Sequence, residues 1–272
     1  MDKRMGWPLR SVWLRVVLAS CLVCCLATLV ACAGGAVPPQ EGGEKGEGPG
    51  HRAQYLALTP QQELELGNKA YEEVLHKYRD RIVRAGKQAE AVKDVGERIV
   101  QAAQIKPLQR EINLHFDERY MDWKFTLIDD DPVNAFCLPG GKVVVFTGLF
   151  NVVRDKDELA AVLGHEIGHA LAHHASERVY RGKDKGLSGR AFDRAQESEA
   201  DHIGVFLMTF AGFDPDANIR LWEDMAQRGG HSQVPEILSD HPSDAHRIGQ
   251  MKQWVPFAKA ALKAYKEGRI AH

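Results

Sequence analysis

Cysteine is nearly absent from most of this chain. Four of its five cysteines, Cys21, Cys24, Cys25 and Cys32, fall within the opening 32 residues, and only Cys137 lies beyond. That excludes an internal disulfide in the body of the protein. It also weakens the case for a closed structural zinc module, which favours several cysteines. A strong charge of either sign is missing too: the formal net charge is −2, which gives no support to a nucleic-acid surface. Long apolar runs are confined to one stretch, from Val16 to Ala31, marginal against the about 20 residues a bilayer span needs. What remains is ordinary globular composition, 44% hydrophobic and 26% charged over 272 residues. One domain of about 200 residues plus extensions fits that length.

The extension is N-terminal. Lys3, Arg4, Arg10 and Arg15 precede the apolar run, the pattern of a secretory signal. An uncleaved anchor helix is the rival reading. Leu29-Val30-Ala31-Cys32 resembles a bacterial lipobox, which makes Cys32 the expected lipidation site and residues 1–31 a signal peptide. Ala33 after it favours an outer-membrane destination by the same resemblance. Residues 32–52 are rich in glycine, proline and charge, too polar to bury a core, and read as a flexible tether. The expectation is an exported chain, lipid-anchored to a membrane and facing the periplasm, with its folded domain in residues 53–272.

The richest stretch runs from Leu163 to His174 and contains His165-Glu166-Ile167-Gly168-His169. Residues four apart share a helix face, so His165 and His169 can offer imidazole nitrogens to one metal ion. Glu166 can reach a water held there. Three fixed residues at fixed spacing occur by accident in roughly one chain in a hundred of this length. The context raises the motif above accident. Leu159, Val162, Leu163, Ile167 and Ala170 give the helix an apolar stripe, and Gly164 and Gly168 imply close approach by a neighbour. A hydrolytic zinc site takes three protein ligands and leaves a fourth position open, so one ligand must come from elsewhere.

Other elements follow from local signals. Thr59-Pro60-Gln61-Gln62 opens a helix expected to reach about Arg84, and a second covers about Gln88 to Gln104. The alternation of Glu111–Phe116 and Lys124–Ile128 predicts two strands. Pro139-Gly140-Gly141 marks a turn before a strand at Lys142–Phe146, and Asn134-Ala135-Phe136 reads as an edge strand able to pair with an extended peptide. Residues 175–189 are polar and basic and read as a mobile loop.

The helix expected over Arg190–Ala211 carries Glu197-Ser198-Glu199-Ala200-Asp201. Glu197 and Asp201 share a face, whereas Glu199 lies about 200° round from Glu197. A ligand with a carboxylate bracing a ligating histidine is a common pairing, which favours Glu197 as third ligand and Asp201 as the brace. A solvated acidic face is the alternative. His241 precedes Pro242 and is therefore extended; it could complete or cap the metal site. Ser243–Trp254 and Phe257–Tyr265 read as closing helices.

Four motifs in this order resemble the HtpX-like, CAAX-prenyl-protease-type gluzincins: NAFCLPGGKVVVFTGLF, DELAAVLGHEIGHALAHH, ESEADHIG and a late His-Pro followed by Arg247. The likeness is to the lipid-anchored bacterial quality-control members and their mitochondrial stress-protease relatives, and covers about Leu58 to Trp254. It implies an α+β fold, a mostly helical zincin domain with a small mixed sheet whose edge strand borders the active site. It implies one Zn2+ per chain at His165, His169 and Glu197, with Glu166 as catalytic base. Asp201 would orient a ligating histidine, and His241 would take zinc's fourth position in a latent state. Arg247 falls where the family has an active-site arginine; His241, His246 and Arg247 are all candidates to hold an oxyanion. The implied function is a zinc endopeptidase degrading misfolded or misassembled envelope proteins, with assembly machinery as a further partner and a chaperone role as the alternative. The interval between His169 and Glu197 is short, without the long insertion common in the family.

Overall fold

The computed structural model describes residues 40–41, 53–182, 189–228, 237, 241 and 245–269. Signal, lipobox and most of the tether, Cys32 included, lie outside the described residues. The remainder is α+β, as expected: mainly helical, with one small mixed sheet. Among the described residues no helix is long and apolar enough to cross a membrane.

β1 (Gln40–Glu41) and β2 (Tyr55–Leu56) make a short antiparallel pair. Helix α1 (Pro60–Lys77) starts at a full capping box, Thr59 accepting from the Gln62 amide while Gln62 accepts from the Thr59 amide. It stops earlier than its sequence suggested. Residues 79–81 form a 3-10 turn and β3 (Ile82–Val83) joins the sheet. Helix α2 (Lys87–Ala103) follows closely on expectation.

The predicted strand at 111–116 is absent. Pro107 opens a short helix α3 (Lys106–Glu111), and Asn113 at φ 49° turns the chain out of it. Asparagine tolerates that left-handed conformation better than most residues, so an alternating pattern here belongs to a helix end.

The sheet order is β3-β4-β6-β5, with β4 (Lys124–Ile128) parallel to β6 (Lys142–Phe146) and β5 (Ala135–Leu138) antiparallel to β6. β5 is thus an edge strand. The Gly140-Gly141 turn between β5 and β6 takes φ of 70° and 87°, which only glycine adopts freely.

Helix α4 (Lys156–Leu171) carries the His-Glu-x-x-His motif and is the centre of the core. Asp155 caps it by accepting from the Glu158 amide at 2.9 Å. Every residue from Glu158 to His169 is buried, so the helix is enclosed on all sides. Its main partner is α6 (Gly189–Phe210). At their crossing Gly164 meets Gly204 backbone to backbone: a Cβ added at 204 would fall 2.9 Å from the Gly164 carbonyl carbon and the His165 nitrogen. Gly168 faces the Ala200 carbonyl in the same way. The neighbour those glycines implied is α6, and the contact fixes how near the acids of one helix come to the histidines of the other. Gly204→Ala should therefore lose about 1–3 kcal/mol of stability in urea unfolding, although in an exposed helix the same change gains about 1 kcal/mol.

After α4 the chain breaks at His173, in the left-handed region at φ 56°, and α5 (His174–Arg181) begins. The loop expected over 175–189 is thus helical as far as Arg181; residues 183–188 lie outside the described set. Helices α7 (Asp216–Arg228) and α8 (Ala245–Lys266) complete the domain. α8 runs unbroken through Pro256, where the sequence suggested two helices. Val255, Ala258 and Ala261 are buried on either side of it, and that packing outweighs the hydrogen bond the proline cannot donate.

Candidate metal centre

Two turns of α4, one turn of α6 and His241, ahead of α8, converge. His165 and His169, four apart, bring their Nε2 atoms to 3.1 Å. Glu197 reaches both, Oε2 at 3.2 Å from His165 Nε2 and Oε1 at 3.4 Å from His169 Nε2. His241 Nδ1 lies 3.2 Å from His165 Nε2 and 3.0 Å from Glu197 Oε2. All four residues are buried. A tetrahedral zinc with ligands at about 2.0–2.1 Å separates its donor atoms by about 3.3–3.4 Å. The observed separations are close to those edges.

Proton placement points the same way. His165 Nδ1 lies 2.9 Å from the Asp201 Oδ1 carboxylate oxygen, a charge contact that favours the proton on Nδ1 and leaves Nε2 its lone pair. Burial keeps His169 neutral, far below the usual imidazole range despite the Glu197 carboxylate. Two imidazole lone pairs and a carboxylate aimed at one point repel one another unless a cation lies between them. Burial would raise the Glu197 carboxyl, but the imidazoles of His169, His165 and His241 reverse that and hold it ionised. Burial also opposes charging of His165, yet Asp201 and Glu197 outweigh it and raise that imidazole to about 9, so zinc and a proton compete for its Nε2. The donor set fits zinc.

Around these donors the sequence candidates separate. Asp201, fully buried, receives a two-pronged contact from Arg247, Nε to Oδ2 at 2.7 Å and Nη2 to Oδ1 at 2.8 Å. Burial would lift the Asp201 carboxyl, and the guanidinium with His165 keeps it below the usual range. Arg247 Nη1 also sits 3.3 Å from Glu197 Oε2, and its guanidinium stacks 4.6 Å over the Trp222 ring. His246, one residue earlier, is exposed and away from this set.

Glu166 is buried beside these donors, and its Oε1 makes no hydrogen bond among the described residues; His241 Nε2 is 3.4 Å away. Burial raises its carboxyl, with His241 and His165 pulling partly back. Edge strand β5 passes close by: burial and the Glu166 charge together push the Cys137 thiol up, which makes that cysteine an inert packing residue. Of the edge-strand residues, Ala135 and Phe136 lie in β5, and Asn134 precedes it with its side-chain oxygen accepting from the Ala135 amide at 2.8 Å.

Two buried residues had no role from sequence. His174 Nδ1 lies 2.7 Å from His169 Nδ1, and His174 Nε2 lies 3.0 Å from Glu199, the acid set aside as a ligand. The His173-His174 pair closing the motif was the available signal, but its geometry depends on a helix break that no glycine announces.

The sequence model of peptidase family M48 matches residues 87–185 and 185–255. The chain belongs to peptidase family M48. M48 members are zinc metallopeptidases, and zinc is the metal the donor set fits. The mitochondrial metalloendopeptidase OMA1 of Schizosaccharomyces pombe is 33% identical over 222 residues, 72% of this chain and 62% of that one. The Arabidopsis thaliana protein of the same name is 34% identical over 54% of this chain and 34% of its own length. The beta-barrel assembly-enhancing protease of Yersinia pestis is 31% identical over 47% of this chain and 35% of its own. The chain thus spans less than two thirds of the first two relatives.

These likenesses correct one expectation. The exported, periplasm-facing and outer-membrane setting read from the N-terminus is contradicted, because relatives in S. pombe, Saccharomyces cerevisiae, Bos taurus and Homo sapiens, matched over 222 to 244 residues, are named as mitochondrial. The physical reason is that basic residues before a short apolar run direct a chain toward a membrane without specifying which compartment it faces.

Proposed function

We propose that this chain is a zinc endopeptidase that cuts extended segments of unfolded or misassembled proteins beside a membrane. The observation that carries the reading is the buried Glu166, whose Oε1 makes no hydrogen bond among the described residues, next to four converging donor groups. His165, His169 and Glu197 would hold zinc, which supplies Lewis acidity toward water and the scissile carbonyl. Glu166 takes a proton from the attacking water and returns it to the leaving amine. Its burial suits the proton-accepting step, since a carboxylate raised above its usual range is a stronger base toward the attacking water. β5 has β6 on one side and no strand on the other among the described residues, so an extended substrate can pair along it. The apolar run of residues 16–31 would carry the chain to the membrane, with residues 32–52 as a tether to the catalytic domain.

The test is cleavage of an unfolded polypeptide by the purified full chain. Activity should disappear with a zinc chelator and return on adding stoichiometric zinc. Activity that survives complete zinc removal would defeat the proposal.

A second observation qualifies the first. His241 closes the tetrahedron and stands beside Glu166, which supports a latent resting state and, with it, the alternative that the protein acts mainly as a chaperone. His241→Ala is expected to raise turnover of an unfolded substrate severalfold at unchanged zinc content. A fall in turnover would instead make His241 a helper in catalysis.

A further inference from the structure

We infer that His174 and Glu199 form a relay that fixes the tautomer of His169 and thereby sets the strength of the zinc site. The inference rests on the proposed role of His169 as a ligand. His169 Nε2 is the nitrogen that faces His165 and Glu197, so its lone pair must be there and its proton on Nδ1. Among the described residues that proton has an acceptor at 2.7 Å, His174 Nδ1. His174 must then carry its own proton on Nε2, which donates to Glu199 Oε2 at 3.0 Å. Each link fixes the next: the carboxylate selects the tautomer of one imidazole, and that imidazole selects the tautomer of the other.

The arrangement depends on the break at His173. In an uninterrupted helix residue 174 would lie about 140° around the axis from residue 169 and could not face it. The left-handed turn at His173, with Glu63 on its imidazole at 2.5 Å, starts α5 in a direction that brings His174 back against the metal ligand. The two ligating histidines are consequently braced by different chemistry. His165 has a carboxylate held by an arginine, whereas His169 has a neutral imidazole that passes on only part of the charge of Glu199.

His174, Glu177 and Glu199 also approach one another closely enough to suggest a second cation site. The contacts argue against it. His174 Nδ1 is engaged by His169, and Glu177 accepts from Gln196 Nε2 at 2.9 Å, with Gln196 in turn held by Arg178. The relay uses the same atoms without a second ion.

The test uses the zinc-loaded full chain in detergent. Zinc content is measured first: one equivalent is expected, and its absence would refute the ligand assignment itself and not only the relay. Chelator competition then compares His174→Phe and His174→Asn with the unaltered chain. The phenyl ring keeps the shape and removes both hydrogen bonds, so zinc should bind about 10–100-fold more weakly. The asparagine oxygen can occupy the place of Nδ1 and should recover most of that loss. Equal affinities across the three proteins, or a second zinc equivalent lost with His174→Phe, would overturn the relay. A variant-free readout guards against misfolding: long-range proton–nitrogen correlation in histidine-labelled protein should find His174 protonated on Nε2 alone. Protonation on Nδ1 would overturn the proposal.

Discussion

Glu166→Gln in the zinc-loaded chain lowers turnover of an unfolded protein substrate by about 10²–10⁴ while zinc content and thermal stability stay unchanged. That magnitude is what a positioned general base contributes. The separation of effects follows from the geometry. Glu166 is not among the four donor atoms that converge, so an amide there leaves the ligand set intact. The exchange is nearly isosteric, and Oε1 makes no hydrogen bond among the described residues, with His241 Nε2 at 3.4 Å, so little structure is lost. Turnover is read from fluorescence of a cleaved unfolded substrate and metal from atomic absorption. Undiminished cleavage by a zinc-replete variant would remove Glu166 from the chemistry. The same variant separates protease from chaperone: if it performs every cellular task of the unaltered chain, cleavage is not the task.

The second large effect is on stability. Arg247→Ala should cost about 3–5 kcal/mol, because it leaves the Asp201 and Glu197 carboxylates buried without their guanidinium partner. Asp201 is wholly enclosed, and Arg247 meets it through two nitrogens at once. Lysine cannot reproduce that fork, so Arg247→Lys should recover only part of the loss. Urea unfolding of the zinc-loaded chain measures it. The result also decides what the arginine does. A group that served only to hold an oxyanion would cost turnover and leave unfolding untouched; a brace for Asp201 costs both, since His165 loses its orientation with Asp201.

Much of this centre was legible in the sequence because helix geometry converts spacing into direction. Four-residue separation put His165 beside His169 and Glu197 beside Asp201, and the structure places Glu197, not Glu199, among the converging donors. The glycines at 164 and 168 announced a close neighbour before that neighbour was known. The sheet was legible where turn chemistry was strong, at Pro139-Gly140-Gly141, and misleading at residues 111–116, where a short helix and a left-handed Asn113 produce the alternation of a strand. The break at His173 could not be read, because a left-handed residue is usually announced by glycine or asparagine. With that break unseen, His174 had no route back to His169. Pro256 misled in the opposite sense, since packing around it overrides a local preference that is worth about 3 kcal/mol.

The contact of Gly164 with Gly204 has a consequence for tolerance to change. Side chains can be compressed, rotated or exchanged, and spacings that depend on them drift with temperature or with mutations in the surrounding core. Two bare backbones touching have no such freedom. The interval between the histidines of one helix and the acid of the other is thereby insulated from remodelling elsewhere in the domain, and it is lost abruptly when a single methyl group is placed between the two chains.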